Sequence, residues 1–241
     1  MVKLDILVLS VHPDDAELGC AGTLLKHIAL GKKAGIVDLT RGELGTRGSA
    51  DIRAAEAAEA GKILGLSARE NLGLPDGFFQ NTREYQLKVI EVIRKYRPEI
   101  ILTNACHDRH PDHGRGNELV ETSAFLSGLR KVETSYQGKT QQEWRPNLLL
   151  HFIQDRYIEP NILVDITDYW DEKVKSIKAF KSQFHNPEWD DNEPQTYISS
   201  PEFIKVTEAR ALEFGKNIGV KYAEGFTSVK LLGVDNLFNL K

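Results

Sequence analysis

The sequence predicts an α/β fold: a mostly parallel sheet flanked by helices, completed by a smaller C-terminal α+β portion. Three observations carry that prediction. Short apolar, β-branched runs alternate with helical periods through the first 130 residues, the pattern of successive βαβ units. The runs Ile6–Val11 and Ile100–Leu102 are almost unbroken in apolar character, as strands covered by helices on both faces must be. Beyond Lys131 the alternation loosens into a polar stretch, a strand, two helical periods and an irregular segment.

Taken in order, Ile6–Val11 is the first strand. After His12-Pro13-Asp14-Asp15, the stretch Ala16–Leu30 carries apolar residues at helical spacing and stops at Gly31, a residue type favoured just past a helix end. Ala34–Leu39 is the second strand. Gly42, Gly45 and Gly48 make the next stretch a loop, and Asp51 is the expected cap of a helix through Arg53 to Leu64. A short strand at Asn71–Leu74 precedes an amphipathic helix, Glu84–Tyr96, stopped by Pro98. Ile100–Asn104 is a fourth strand and empties into Cys106-His107-Asp108-Arg109-His110-Pro111-Asp112-His113, with a helix resuming near Asn117 and running to Leu129. Lys131–Pro146 reads as a long loop, Leu148–Ile153 as a strand, Tyr169–Phe184 as a helix, His185–Ser200 as an irregular cover over a site, and Glu202–Lys216 as a last helix.

At 241 residues, against a guide value of about 150 per domain, the chain has room for a core at 1–130 and an extension at 131–241 that completes one compact domain and shapes its site. With 31 Lys+Arg against 35 Asp+Glu, the net charge of -4 disfavours nucleic acid or an anionic bilayer as a partner. Cys20 and Cys106 are too far apart for a C-x-x-C zinc or redox motif, and a reducing cytoplasm is the expected compartment. No export or membrane signal is expected from the opening residues or from any apolar run.

In the common doubly wound orders, strands one and four are neighbours at the point where the strand order reverses, and ligands bind at their carboxyl ends. His12-Pro13-Asp14-Asp15 leaves the first strand and His110-Pro111-Asp112-His113 leaves the fourth, so two segments about 100 residues apart should meet across one crevice. Two imidazoles and a carboxylate around a divalent ion, with one position left open, form a recurrent catalytic zinc arrangement, and His12, Asp15 and His113 can supply it. Asp14, adjacent to a ligand but unable to face the same ion, is placed to take a proton from water, and His110 to stabilise or protonate the reacting group. Alone, H-P-D-D and H-P-D-H are ordinary turn and cap chemistry; their convergence is what points to a site. Arg53 is a cation in a first helical turn, where the dipole does not favour it, which hints at a role. Arg41, Arg47 and Arg109 lie on crevice loops and together suggest a basic mouth for an anionic substituent, with Arg47 the one best read as an ordinary surface charge. Glu43 stays outside the catalytic set, Asp112 is read as orienting a loop or histidine, and Cys106 as a packing residue.

These motifs, with Glu17, Gly19 and Gly22-Thr23, Leu39 to Gly48, Arg53 to Ala57, Asn71 to Gly77, Lys181 to Phe184 and Tyr222 to Phe226, resemble the LmbE-like, N-acetylglucosaminyl-phosphatidylinositol de-N-acetylase family, especially its bacillithiol-biosynthesis branch. The resemblance spans nearly the whole chain. It implies a Rossmann-like domain holding one Zn2+ on His12, Asp15 and His113, with other first-row divalent ions as substitutes. It also implies Asp14 as general base, His110 as transition-state stabiliser or acid, and Arg53 as a substrate-binding residue. Arg109 joins Arg53 as a candidate for substrate binding. The expected reaction removes acetyl from an N-acetylglucosamine conjugate, foremost N-acetylglucosaminyl malate, in a homo-oligomer that extends to a hexamer. Some relatives carry tyrosine where this chain has Asp108, so phenolic assistance from that position is not expected.

Other functions fit less well. A dinucleotide-dependent oxidoreductase needs G-x-G-x-x-G after the first strand, where this chain places two carboxylates. No G-x-S-x-G occurs to support a serine nucleophile. A deacetylase of another N-acetylated glycoside or of chitooligosaccharides remains an alternative. So does a non-catalytic zinc carrier or regulator, although the intact Asp14 and His110 argue against it.

Overall fold

A computed structural model describes residues 2–189 and 193–239. The elements in chain order are β1 (Ile6–Ser10), α1 (Asp15–Ala29), β2 (Ala34–Thr40), α2 (Ala50–Leu64), β3 (Ala68–Leu74), α3 (Arg83–Tyr96), β4 (Ile100–Asn104) and α4 (Pro111–Ser127). They continue with the small strands β5 (Ser135–Tyr136) and β6 (Lys139–Thr140), β7 (Leu148–Phe152), β8 (Ile162–Asp165), α5 (Trp170–Lys178), α6 (Phe203–Asn217) and β9 (Ala223–Thr227). Seven strands form one sheet in the order β3-β2-β1-β4-β7-β9-β8, and β5 and β6 pair in a separate hairpin.

Strands β1 to β4 and β7 are parallel, whereas β9 runs antiparallel between β7 and β8. Successive β1 side chains point to opposite faces, so Leu7 and Leu9 join a core with α3 and α4 while Ile6 and Val8 join one with α1. Coverage on both faces is the reason these strands read as unbroken apolar runs. The switch in winding falls between β1 and β4, paired from Ile6 with Ile100 to Leu9 with Thr103. Their carboxyl ends therefore open into one crevice.

Several expectations need correction. The cap of α2 is Ser49, whose hydroxyl accepts the Ile52 N–H, rather than Asp51, which pairs with Arg41. Helix α4 begins at Pro111, six residues before Asn117, because proline at the first helical position gives up an N–H that would be unbonded anyway. His113 thus stands on a helix and His110 caps it. The stretch expected as one helix over Tyr169–Phe184 is a 3-10 turn followed by α5, which ends at Lys178. The expected loop Lys131–Pro146 contains the β5–β6 hairpin. Neither β8 nor β9 was expected. Asp190, Asp191 and Asn192, part of the expected cover at 185–200, lie outside the described residues.

Helix α1 carries Asp15 at its first position and is gripped from the far side of the sheet order. Glu224 of β9 accepts the Gly22 and Thr23 N–H groups (2.9 and 2.7 Å), while Lys173 of α5 donates to the Leu18 carbonyl and to Glu224 (2.7 and 2.6 Å). Both side chains are almost fully buried. An ion pair thereby grips the middle of the helix through its backbone. Close packing on this helix requires Gly19, since a Cβ there would lie 2.2 Å from the Phe152 ring of β7.

Candidate active site

The segment leaving β1 turns sharply into α1. Asp14 sits at the junction with φ 115°, a conformation costly for a residue with a side chain. The turn is held by the Val11 N–H donating to Asn104 Oδ1 of β4 (3.0 Å) and the His12 N–H donating to Asp15 Oδ2 (2.9 Å). From the other strand, the His110 ring caps α4 by accepting the Asp112 N–H (3.3 Å), which places His113 one turn further along.

The two segments meet as expected. His12 Nδ1 lies 3.5 Å from Asp15 Oδ2, and His113 Nε2 lies 3.3 Å from Asp15 Oδ1. The rings of His12, His110 and His113 offer nitrogens that all fall within 4.8 Å of one another. Asp15 is further oriented by the side-chain amides of Asn104 (3.1 Å) and Gln154 (2.7 Å). Each imidazole facing Asp15 is backed by a carboxylate: His12 Nε2 by Asp76 (3.0 Å), with Asp112 at 3.6 Å, and His113 Nδ1 by Asp108 (2.8 Å). A ring nitrogen turned to a carboxylate with the opposite nitrogen turned inward is the arrangement of metal-ligating histidines. The donor set of two imidazoles and a carboxylate therefore fits a divalent ion such as zinc.

Sequence reading missed Asp76 and Asp108 as partners of the histidines, because single loop carboxylates carry no periodic or spacing signal. It placed Asp112 correctly as an orienting residue: its carboxylate accepts the Gly77 N–H (2.8 Å) and pairs with Arg115 (2.7 Å). Glu43 accepts the Asp76 N–H (2.9 Å), fixing the turn that holds Asp76.

Asp14 is buried beside Arg53, whose guanidinium donates to Asp14 Oδ2 (3.0 Å), the Pro13 carbonyl (2.5 Å) and the Gly42 carbonyl (3.3 Å). Gly42 is in the left-handed region at φ 63°, and a Cβ there would sit 2.0 Å from the Arg53 guanidinium. Burial pushes the Asp14 carboxyl up to about 7, helped by the negative charge of Asp15 and opposed by Arg53. His110 is lowered by burial and by the neighbouring His12 and His113. His113 is raised to about 9, its burial outweighed by the carboxylates of Asp15 and Asp108. Asp108 is held below the ordinary carboxylate range despite its burial, because His113 and backbone N–H groups bond its charged form.

A cavity of about 230 Å³ opens over these groups, its walls including Leu18, Leu44, Arg53, Arg109, Gln183 and Ile198. Arg109 is the half-exposed cation of the rim, lying over the Tyr197 ring (4.9 Å) and 3.5 Å from Asp155. The expected basic mouth is otherwise corrected. Arg41 faces a separate cleft beside α2 and is paired with Asp51. Arg47, expected as a surface charge, is buried and donates to the carbonyls of Ser182, Glu193 and Pro194, tying those residues to the glycine loop. Cys106 is exposed rather than packed.

Comparisons with known proteins identify the family. The family model of GlcNAc-PI de-N-acetylase, PIG-L, matches residues 7–124, which contain both histidine segments. Diacetylchitobiose deacetylase of Thermococcus kodakarensis is 29% identical over 93% of this chain and 82% of its own length. The uncharacterized deacetylase YaiS of Escherichia coli is 34% identical over 73% of this chain and 90% of its own length. Among solved structures, the conserved protein TT1542 from Thermus thermophilus superposes with a TM-score of 0.85 at 36% identity, covering 96% of this chain and 98% of that one. The chain belongs to the PIG-L, LmbE-like family of N-deacetylases and is a hydrolytic enzyme of that kind.

Proposed function

We propose that this chain removes the acetyl group from an N-acetylglucosamine conjugate with zinc held by His12, Asp15 and His113. One observation carries the reading: a carboxylate, Asp14, and an imidazole, His110, stand beside a two-histidine, one-carboxylate donor set and line the same cavity. Zinc bound there supplies Lewis acidity for the amide carbonyl and acidifies a water. Asp14 takes the proton from the attacking water, being a buried carboxylate beside the donor set that is not itself one of its ligands. Arg53 keeps the Asp14 carboxylate aimed by occupying one of its oxygens. His110, with Nδ1 accepting the Asp112 N–H, carries its proton on Nε2 when neutral and so presents a donor to the developing oxyanion or the departing amine.

The aglycone we propose is malate, as the motif resemblance implies, with Arg109 as the guanidinium that receives its carboxylate. A bidentate carboxylate replaces the long, solvent-facing contact of Arg109 with Asp155. Amine release should be compared for N-acetylglucosaminyl malate and N,N′-diacetylchitobiose. Arg109→Ala should raise KM for the malyl glycoside about tenfold or more, given about 1.5–3 kcal/mol for a charge-assisted hydrogen bond, and leave the chitobiose KM in place. Equal KM values for the variant and the parent on the malyl glycoside remove Arg109 from recognition. The homo-oligomer implied by the resemblance finds support in the exposed apolar residues Val229, Leu231, Leu237 and Phe238 of the C-terminal segment.

A further inference from the structure

Asp108 marks the departure from the tyrosine carried by some relatives, and its surroundings give it a different task. Its side chain is buried and both oxygens are engaged. Oδ2 lies 2.8 Å from His113 Nδ1, while Oδ1 accepts the N–H groups of Arg109 and Arg156, each at 2.8 Å. Those two backbone donors come from separate segments, so the carboxylate is anchored independently of the histidine it faces. An ionised carboxylate only accepts hydrogen bonds. His113 must therefore turn an N–H toward Asp108, which leaves the opposite nitrogen, Nε2, free of a proton in the neutral ring and directed at Asp15 (3.3 Å).

We infer that Asp108 is a positioning residue for the metal centre: it holds His113 as the Nδ1–H tautomer, with Nε2 ready to ligate. The inference rests on the metal reading above and goes beyond it by assigning His113's competence to a residue outside the ligand set. Asparagine is the informative replacement because it keeps the shape but has one acceptor and one donor end. If its oxygen stays on the Arg109 and Arg156 N–H groups, its NH2 faces Nδ1 and drives the ring proton to Nε2. If it flips, the NH2 confronts two backbone donors.

The test measures zinc affinity of the full chain by competition with a chromophoric chelator, for the parent and for Asp108→Asn. The variant should bind zinc about 10–100-fold more weakly, the range for loss of an outer partner of a metal-ligating histidine. Asp108→Glu, which keeps an acceptor-only group, should recover part of that loss. Two-bond proton–nitrogen spectra of the zinc-loaded parent need no variant and should show the His113 ring proton on Nδ1. A ring proton on Nε2 in the loaded parent, or an Asp108→Asn affinity within twofold of the parent, overturns the inference while leaving the deacetylase reading standing. A parent chain that takes up no zinc overturns both.

Discussion

Asp14 concentrates the chemistry of the site in one strained residue. Its backbone sits at a φ of 115°, its carboxylate meets Arg53, and burial lifts its pKa to about 7. Backbone strain of this kind persists only where the surroundings enforce it, here through the guanidinium bonds to Asp14 and the Pro13 carbonyl. Asp14→Asn should retain one bound metal per chain and lose about 10²–10⁴-fold in kcat, the usual worth of a positioned general base; a variant deacetylating at the parent rate removes Asp14 from the proton transfer. Arg53→Lys should be nearly as damaging as a full truncation, because an ammonium cannot reproduce the planar fork spread over a carboxylate and two carbonyls. The check is kcat, with thermal melts to confirm that the fold survives. His12, Asp14, Asp15, His110 and His113 were legible because their residue types repeat in two short motifs at strand ends. Asp76 and Asp108 were not, since a loop carboxylate becomes a histidine partner only through chain folding that leaves no local mark. Arg47 misled for the reverse reason: a glycine-loop arginine looks solvated until the carbonyls of Ser182, Glu193 and Pro194 close over it.

Helix α1 joins the site to the C-terminal third of the chain. It starts at Asp15, contributes Leu18 to the cavity wall, and is held at Leu18, Gly22 and Thr23 by the buried Lys173–Glu224 pair. Removing one member of a buried pair strands the other charge, so Lys173→Met should cost about 3–5 kcal/mol in urea unfolding, and a second change, Glu224→Leu, should return part of it. A loss below about 1 kcal/mol for Lys173→Met contradicts the clamp. This arrangement explains why Gly22-Thr23 and Tyr222 to Phe226, which no catalytic role absorbs, stand among the family-like motifs. It also shows where element reading failed. Strand β9 opens with Ala223, Glu224 and Gly225, residues with poor strand propensity that leave only Phe226 and Thr227 as a strand signal, and is stabilised by its neighbours β7 and β8. Helix α4 begins in a stretch with Pro111, Gly114 and Gly116, whose weak propensity conceals a start determined by the His110 cap and by packing.

Seven strands with a winding reversal between β1 and β4 make the crevice a property of the topology, and the parallel half was readable because apolar runs and helical periods alternate so regularly. The antiparallel end was not, because β8 and β9 pair across two intervening helices and so lack the regular strand–helix alternation. The exposed apolar C-terminal segment leads to a further expectation for the assembled molecule. Sedimentation should show an oligomer for the parent chain and a shift toward monomer for Leu231→Asp/Phe238→Asp; an unchanged profile excludes this segment from the contact. Metal dependence is the property on which the catalytic assignments converge. Acetate release from N-acetylglucosaminyl malate should be followed with chain stripped by a chelator and then titrated with zinc. Activity should vanish on stripping and return in proportion to zinc, reaching its plateau at about one equivalent per chain, the single ion that one such donor set accommodates. Full activity in the stripped, metal-free chain contradicts that dependence.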